Sequence, residues 1–131
     1  MRKSTCKESI TAGPFSIHFT NVNREMELRG HSHFAEVYFQ FETIGSVGFP
    51  SFEHTHAEIQ QQLKHLTHLP FRDATNEEVL RRLFDHFSAA ELEETKKYSC
   101  AFRLTAMELH VRGVPDAIGH ADAFTRYRIE S

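Results

Sequence analysis

The hydrophobic period of this chain changes twice, and that change constrains the fold more than any other feature. Residues 14–22 alternate apolar and polar side chains, the period of a half-buried strand. A polar stretch from Asn21 to Gly30 follows. His33 to Thr43 is rich in aromatic and β-branched residues and reads as a second strand, ended by Gly45, Gly48 and Pro50. From Phe52 the period becomes helical. Phe52, Ile59, Leu63 and Leu66 fall on one face, and Gln60, Gln61, Gln62 and Lys64 lie opposite, with Ser51 as N-cap and Pro70 as the stop. Thr75-Asn76-Glu77-Glu78 is a capping-box sequence opening a second helix, with Val79, Leu80, Leu83, Phe84 and Phe87 on one stripe. The period then returns to that of a strand from Ser99 to Val111, and Phe124 to Ile129 forms a short last strand.

The order β-β-α-α-β-β predicts an α+β domain, in which an antiparallel four-stranded sheet carries two helices on one face. Such a sheet has open edges that other copies can pair with, so a homo-oligomer is expected. The 131 residues predict one domain over 1–131, with 1–12 as a loosely ordered leader. Twelve phenylalanines and no tryptophan predict a phenylalanine-rich core. A net charge of −3, with both signs interspersed, argues against nucleic acid as a partner. No apolar run approaches the roughly 20 residues of a membrane span, and the basic start has no apolar stretch behind it. Cys6 and Cys100 form no C-x-x-C pair, which fits a cytoplasmic protein with reduced thiols.

Histidine is the unusual residue, at ten in 131. His31 and His33 share a strand face, since residues i and i+2 point the same way. His18 lies mid-way along the preceding strand, within reach if the two strands pair as a hairpin. Three neutral imidazoles suit zinc with a fourth position open, although copper, nickel and ferrous iron also accept such ligands. His65 and His68 are helix neighbours at i, i+3. Solvated surface positions are the reading for His54, His56 and His65. Glu108 falls in the alternation with Phe102, Leu104 and Ala106, so a carboxylate ends an apolar row. Either it has a partner, because burying an unpaired carboxylate is costly, or the strand end turns into solvent.

Taken together, these residues resemble the 6-pyruvoyl-tetrahydropterin synthase and 6-carboxytetrahydropterin synthase family over nearly the whole domain. Arg29-Gly30-His31-Ser32-His33 stands where that family carries its His-x-His pair, and His18 stands at its first-strand ligand. Ser51-Phe52 stands for an Asp-Phe, Leu66-Thr67-His68 for a Leu-Asp-His, Thr75-Asn76-Glu77 resembles Pro-Thr-x-Glu, and Met107-Glu108 resembles the pterin-holding glutamate. The resemblance implies the tunnelling fold, with sheets joined between subunits into a barrel, commonly in hexamers, and active sites between subunits. It implies one zinc ion per subunit on His18, His31 and His33, and a pterin held by Glu108 and Thr105. The implied reaction acts on the side chain of a dihydroneopterin-type substrate, by phosphate elimination or carbon–carbon cleavage, with zinc polarising side-chain oxygens.

Two positions depart from the family's main branch. Glu27 stands where the catalytic cysteine is usual, and Thr67 replaces the aspartate that orients His68. In one reading Glu27 is the general base, with Glu25 as rival, and His68 is a proton shuttle. In another, the fold and metal persist in a protein that binds a pterin or purine-like ligand without the standard activity. A cupin-like metal protein is the third; Gly30-His31-Ser32-His33 and Glu36 invite it, and the helical pattern of residues 51–88 opposes it.

Overall fold

The computed structural model describes residues 9–22, 30–44, 52–89, 101–112 and 124–131. Strands β1 (Ser9–Val22) and β2 (Gly30–Ile44) precede helix α1 (Phe52–Leu66), the two-residue strand β3 (Phe71–Arg72) and helix α2 (Asn76–Ala89). Strands β4 (Ala101–Arg112) and β5 (Phe124–Glu130) complete the chain. The fold is α+β. The sheet has five strands in the order β3-β1-β2-β4-β5, every pair antiparallel except β1 with β3. The expected four-stranded antiparallel sheet is thus extended by a short parallel strand. Phe71, just after Pro70, buries its ring edge-on to Phe19, and that contact draws the chain alongside Asn21 and Val22.

Alternation puts one row of each strand into the core. Phe15, Ile17 and Phe19 on β1, Val37, Phe39 and Phe41 on β2, and Met107, Leu109 and Val111 on β4 are buried. Against them pack Ile59 and Leu63 from α1 and the α2 stripe Val79, Leu80, Leu83, Phe84 and Phe87, in one cluster. The phenylalanine-rich core is as the composition suggests: Phe39 meets Phe15 and Phe87 edge-on, at 5.4 and 4.9 Å between centroids. α2 starts as the capping sequence predicts, with the Glu78 amide donating to Thr75 Oγ1 at 3.2 Å. One polar path crosses this interior. Asn21 Nδ2 donates to the Ala74 carbonyl and to Asn76 Oδ1, and Asn76 Nδ2 donates to the Tyr127 hydroxyl, joining β1, α2 and β5.

Two irregularities shift the alternation, and neither follows from the period-two reading. On β1 the register slips between Ala12 and Phe15, where Gly13 and Pro14 intervene. The strand therefore begins at Ser9, and residues 9–12, expected in the leader, are paired with β2. On β4, Leu104 pairs with Phe41 while Ala106 pairs with Gln40, leaving Thr105 as the extra residue of a bulge. This bulge corrects the reading of Glu108. Leu104 faces the core, but beyond Thr105 the core row is Met107, Leu109 and Val111. Glu108 does not end Leu104's apolar row; it stands mid-strand on the opposite face.

Gly13 has φ +136°, and a Cβ there would lie 2.8 Å from the Val37 carbonyl oxygen. Gly13→Ala is predicted to destabilise the fold by at least about 1 kcal/mol, read as a lower urea midpoint at unchanged slope.

Candidate functional site

With the helices on one side, the other side of the sheet carries polar rows that run across the strands. Directly paired residues share a face. Ser16, Glu36, His110 and Arg126 therefore form one row across β1, β2, β4 and β5, and Tyr38, Glu108 and Arg128 form the next. One step the other way lie His18 with Phe34, then Arg112 with Phe124.

Glu108 is the hub of this face. Its Oε1 accepts from His110 Nε2 at 2.9 Å, and its Oε2 accepts from Arg128 Nη1 at 2.6 Å. Arg128 is fully engaged, because Nε donates to Glu130 at 2.6 Å and Nη2 donates to Gln40 Oε1 at 3.2 Å. The His110 hydrogen bond, followed by the Arg128 guanidinium, holds the Glu108 carboxyl below the usual carboxylate range despite partial burial. Glu108 is therefore ionised at neutral pH. Its side chain is 24% exposed, and each oxygen keeps a second lone-pair site for another donor. Beside it, Tyr38 lies against His110 at 4.7 Å and donates to Glu36. Burial, and then the bond to Glu36, raise the phenol's pKa. Thr105 Oγ1 donates to the Gln40 carbonyl across the bulge, so this hydroxyl ties β4 to β2.

The larger cavity lies at the other end of the sheet. A cleft of about 640 Å³ opens between β1 and α1, in the range of small-molecule sites. Ser16 and His18 line one side, Gln60, Gln61 and Lys64 the other, and His68 closes it just past the helix. Among the described residues no carboxylate lines it. Thr67 donates its hydroxyl to the Leu63 carbonyl at 2.7 Å and its amide to the same oxygen at 2.9 Å, finishing α1.

The candidate residues of the sequence thus divide. His18 and His68 meet at the cleft. Glu108 and Thr105 lie on β4, with Glu108 in its own polar cluster. His33 pairs with Phe19, and their rings are 5.2 Å apart, on the core-facing side. His18 pairs with Phe34, ring to ring at 4.7 Å, on the opposite side. Backbone pairing places His31 beside Asn21; its side chain, and all of Glu25, Glu27, Cys6, Cys100 and Ser51, fall outside the described residues. One chain therefore presents His18 and His33 on opposite faces of the sheet, and these residues do not fit a single tetrahedral site within it. Among the described residues no cluster of three His, Cys, Asp or Glu side chains is placed to hold a metal. His56 is exposed, as its reading as a solvated surface residue expects, and its ring stands 4.5 Å from that of Phe15. Sequence reasoning passed over His110, Arg128 and Gln40. The signal was available in the spacing Glu108/His110 and Arg126/Arg128 on two strands that pair.

Comparison with family models, with curated proteins and with solved structures finds no match, so the functional argument rests on the residues themselves.

Two outcomes follow from this geometry. A carboxyl held below its unfolded value of 4.5 adds stability that is present above that value and is lost as pH falls through the folded one. Urea midpoints between pH 6 and 3 should therefore fall less steeply for Glu108→Gln than for the wild type. For metal content, opposite faces predict that His18→Ala leaves unchanged whatever zinc is lost in His33→Ala; equal loss in both would place the two imidazoles on one ion.

Proposed function

We infer that this chain is a pterin-type lyase acting on the side chain of a dihydroneopterin-type substrate, with its site completed between copies in a homo-oligomer. The observation that carries this reading is the separation of two half-sites toward the two open edges of one sheet. Beyond β2, β1 is paired by β3 only at Asn21 and Val22, and β5 is the last strand on the other side. Within one chain Glu108 stands two strands and about four residues from the row of His18, roughly 16 Å away. Pairing β5 of one copy with β1 of the next would set Glu108 two strands, or about 10 Å, from the neighbouring β1 as well, and the register of that pairing would fix how far along the strand the neighbour's His18 lies.

In this reading, ionised Glu108 accepts two N–H bonds from the amino-pyrimidine edge of the ligand, a bidentate match. The cleft takes the remainder of the molecule, where Lys64, His18 and His68 offer cationic or donor groups. Glu27 is the base in place of the family's cysteine, and His68 holds or relays the proton. The hexameric assembly and cytoplasmic location belong to the resemblance. No helix among the described residues is long and apolar enough to cross a membrane.

A second reading, ligand binding without turnover, is favoured by Thr67. Its hydroxyl is spent on the end of α1, so position 67 gives His68 no carboxylate to set its tautomer.

The test is complementation on dihydroneopterin triphosphate. His68→Ala and Glu108→Gln are each predicted to be inactive, while their co-assembled mixture recovers about a quarter of the wild-type sites, those with both intact halves. An inactive mixture would refute the shared site. An inactive wild type that still binds the pterin would support the second reading.

A further inference from the structure

A smaller pocket on the open face adjoins the cleft, with Ser16 and Ile17 lining both. It holds about 180 Å³ between Ser16, Phe34, Glu36, His110, Arg112 and Phe124. That is room for a single ring with its substituents, below the roughly 300–1,000 Å³ of sites for larger ligands. Phe34 is 69% exposed and Phe124 is 51% exposed, so two aromatic walls stand open on a sheet face otherwise lined by polar groups. The Arg112 guanidinium lies 6.0 Å from the Phe124 ring centroid.

His110 joins this pocket to Glu108, and the direction of their bond decides what its imidazole offers. The ionised carboxylate only accepts, so Nε2 carries the proton and Nδ1 of the neutral ring keeps its lone pair. Arg128 in turn fixes the carboxylate from its other oxygen. A carboxylate that orients an imidazole is what position 67 fails to give His68. The geometry points to His110 as a proton-accepting residue of a second small-molecule site, one that takes a planar aromatic ligand with an acidic hydroxyl, and to Glu108 as its positioning residue. The ring lies between Phe34 and Phe124. The ligand's O–H bond breaks with its electron pair left on oxygen, and the proton forms an N–H bond at Nδ1. The resulting imidazolium stays paired with Glu108, and the aryl oxide lies near Arg112. The charged groups facing His110 are Glu36 from β2, Glu108 and Arg112 from β4, and Arg126 and Arg128 from β5; Tyr38 stacks on it.

4-Nitrophenol tests this without any pterin, because its phenolate absorbs where the neutral form does not. At a pH equal to the probe's own pKa, where an ordinary imidazole is mostly neutral, wild-type protein is expected to bind it as the phenolate. His110→Gln should weaken binding about tenfold or more and return the bound probe to its neutral spectrum. No binding by the wild type, or a phenolate signal unchanged in His110→Gln, would overturn the proposal. Nitrogen-15 shifts of His110 in the wild-type protein give a second reading that needs no variant: the proton is expected on Nε2, and a proton found on Nδ1 at neutral pH would refute it. Neither measurement depends on turnover of a pterin, so failure here and failure of the lyase reading are distinct results.

Discussion

Side-chain parity along three strands is the constraint on which the rest of this structure depends. Each strand sends the run of large apolar side chains that forms the core to the helix side, and the residues between them, Phe34 of β2 included, go to the open side. Two extra residues adjust this. The irregularity at Gly13 and Pro14 lets Ala12 and Phe15, three residues apart, both face inward. The bulge at Thr105 does the same for Leu104 and Met107. Without the second adjustment Glu108 would be directed into a core of aromatic rings. With it, Glu108 stands between a histidine and an arginine on the open face.

The fold was largely legible because its signals are local. The capping sequence at Thr75, the α2 stripe and the alternation of residues 15–19 each specify their element from neighbours a few residues away. What escaped was non-local or a matter of one residue. Strand β3 exists because Phe71 finds Phe19, a contact that propensity over two residues cannot announce. The bulge at Thr105 shifts parity without altering composition, so counting in twos from Leu104 put Glu108 on the wrong side. The same parity separates His18 from His33. A hairpin was the right expectation, but the pairing of Phe19 with His33 turns adjacent candidate ligands to opposite faces.

The candidate site was legible in its individual residues and illegible in its grouping. Glu108 was singled out from a carboxylate's need for a partner; besides an ion pair with Arg126 at 3.8 Å, it has two hydrogen-bonding partners, His110 and Arg128. Both come from alternating positions on paired strands, a relation visible only once β4 and β5 are known to be neighbours. His68 and His18, drawn from different arguments, come together at one cleft. Thr67 commits its hydroxyl to the helix end, on the Leu63 carbonyl, and not to the histidine that follows it.

The central claim is that the two half-sites belong to one site shared between copies joined edge to edge. Amide hydrogen exchange along β1 and β5 tests it most directly, because an unpaired strand edge exchanges quickly and a paired one does not. The account predicts slow exchange at the outward amides of both strands in the assembled protein, becoming fast for both on dilution to the monomer. Fast exchange along both edges at concentrations where the protein binds its ligand would contradict it.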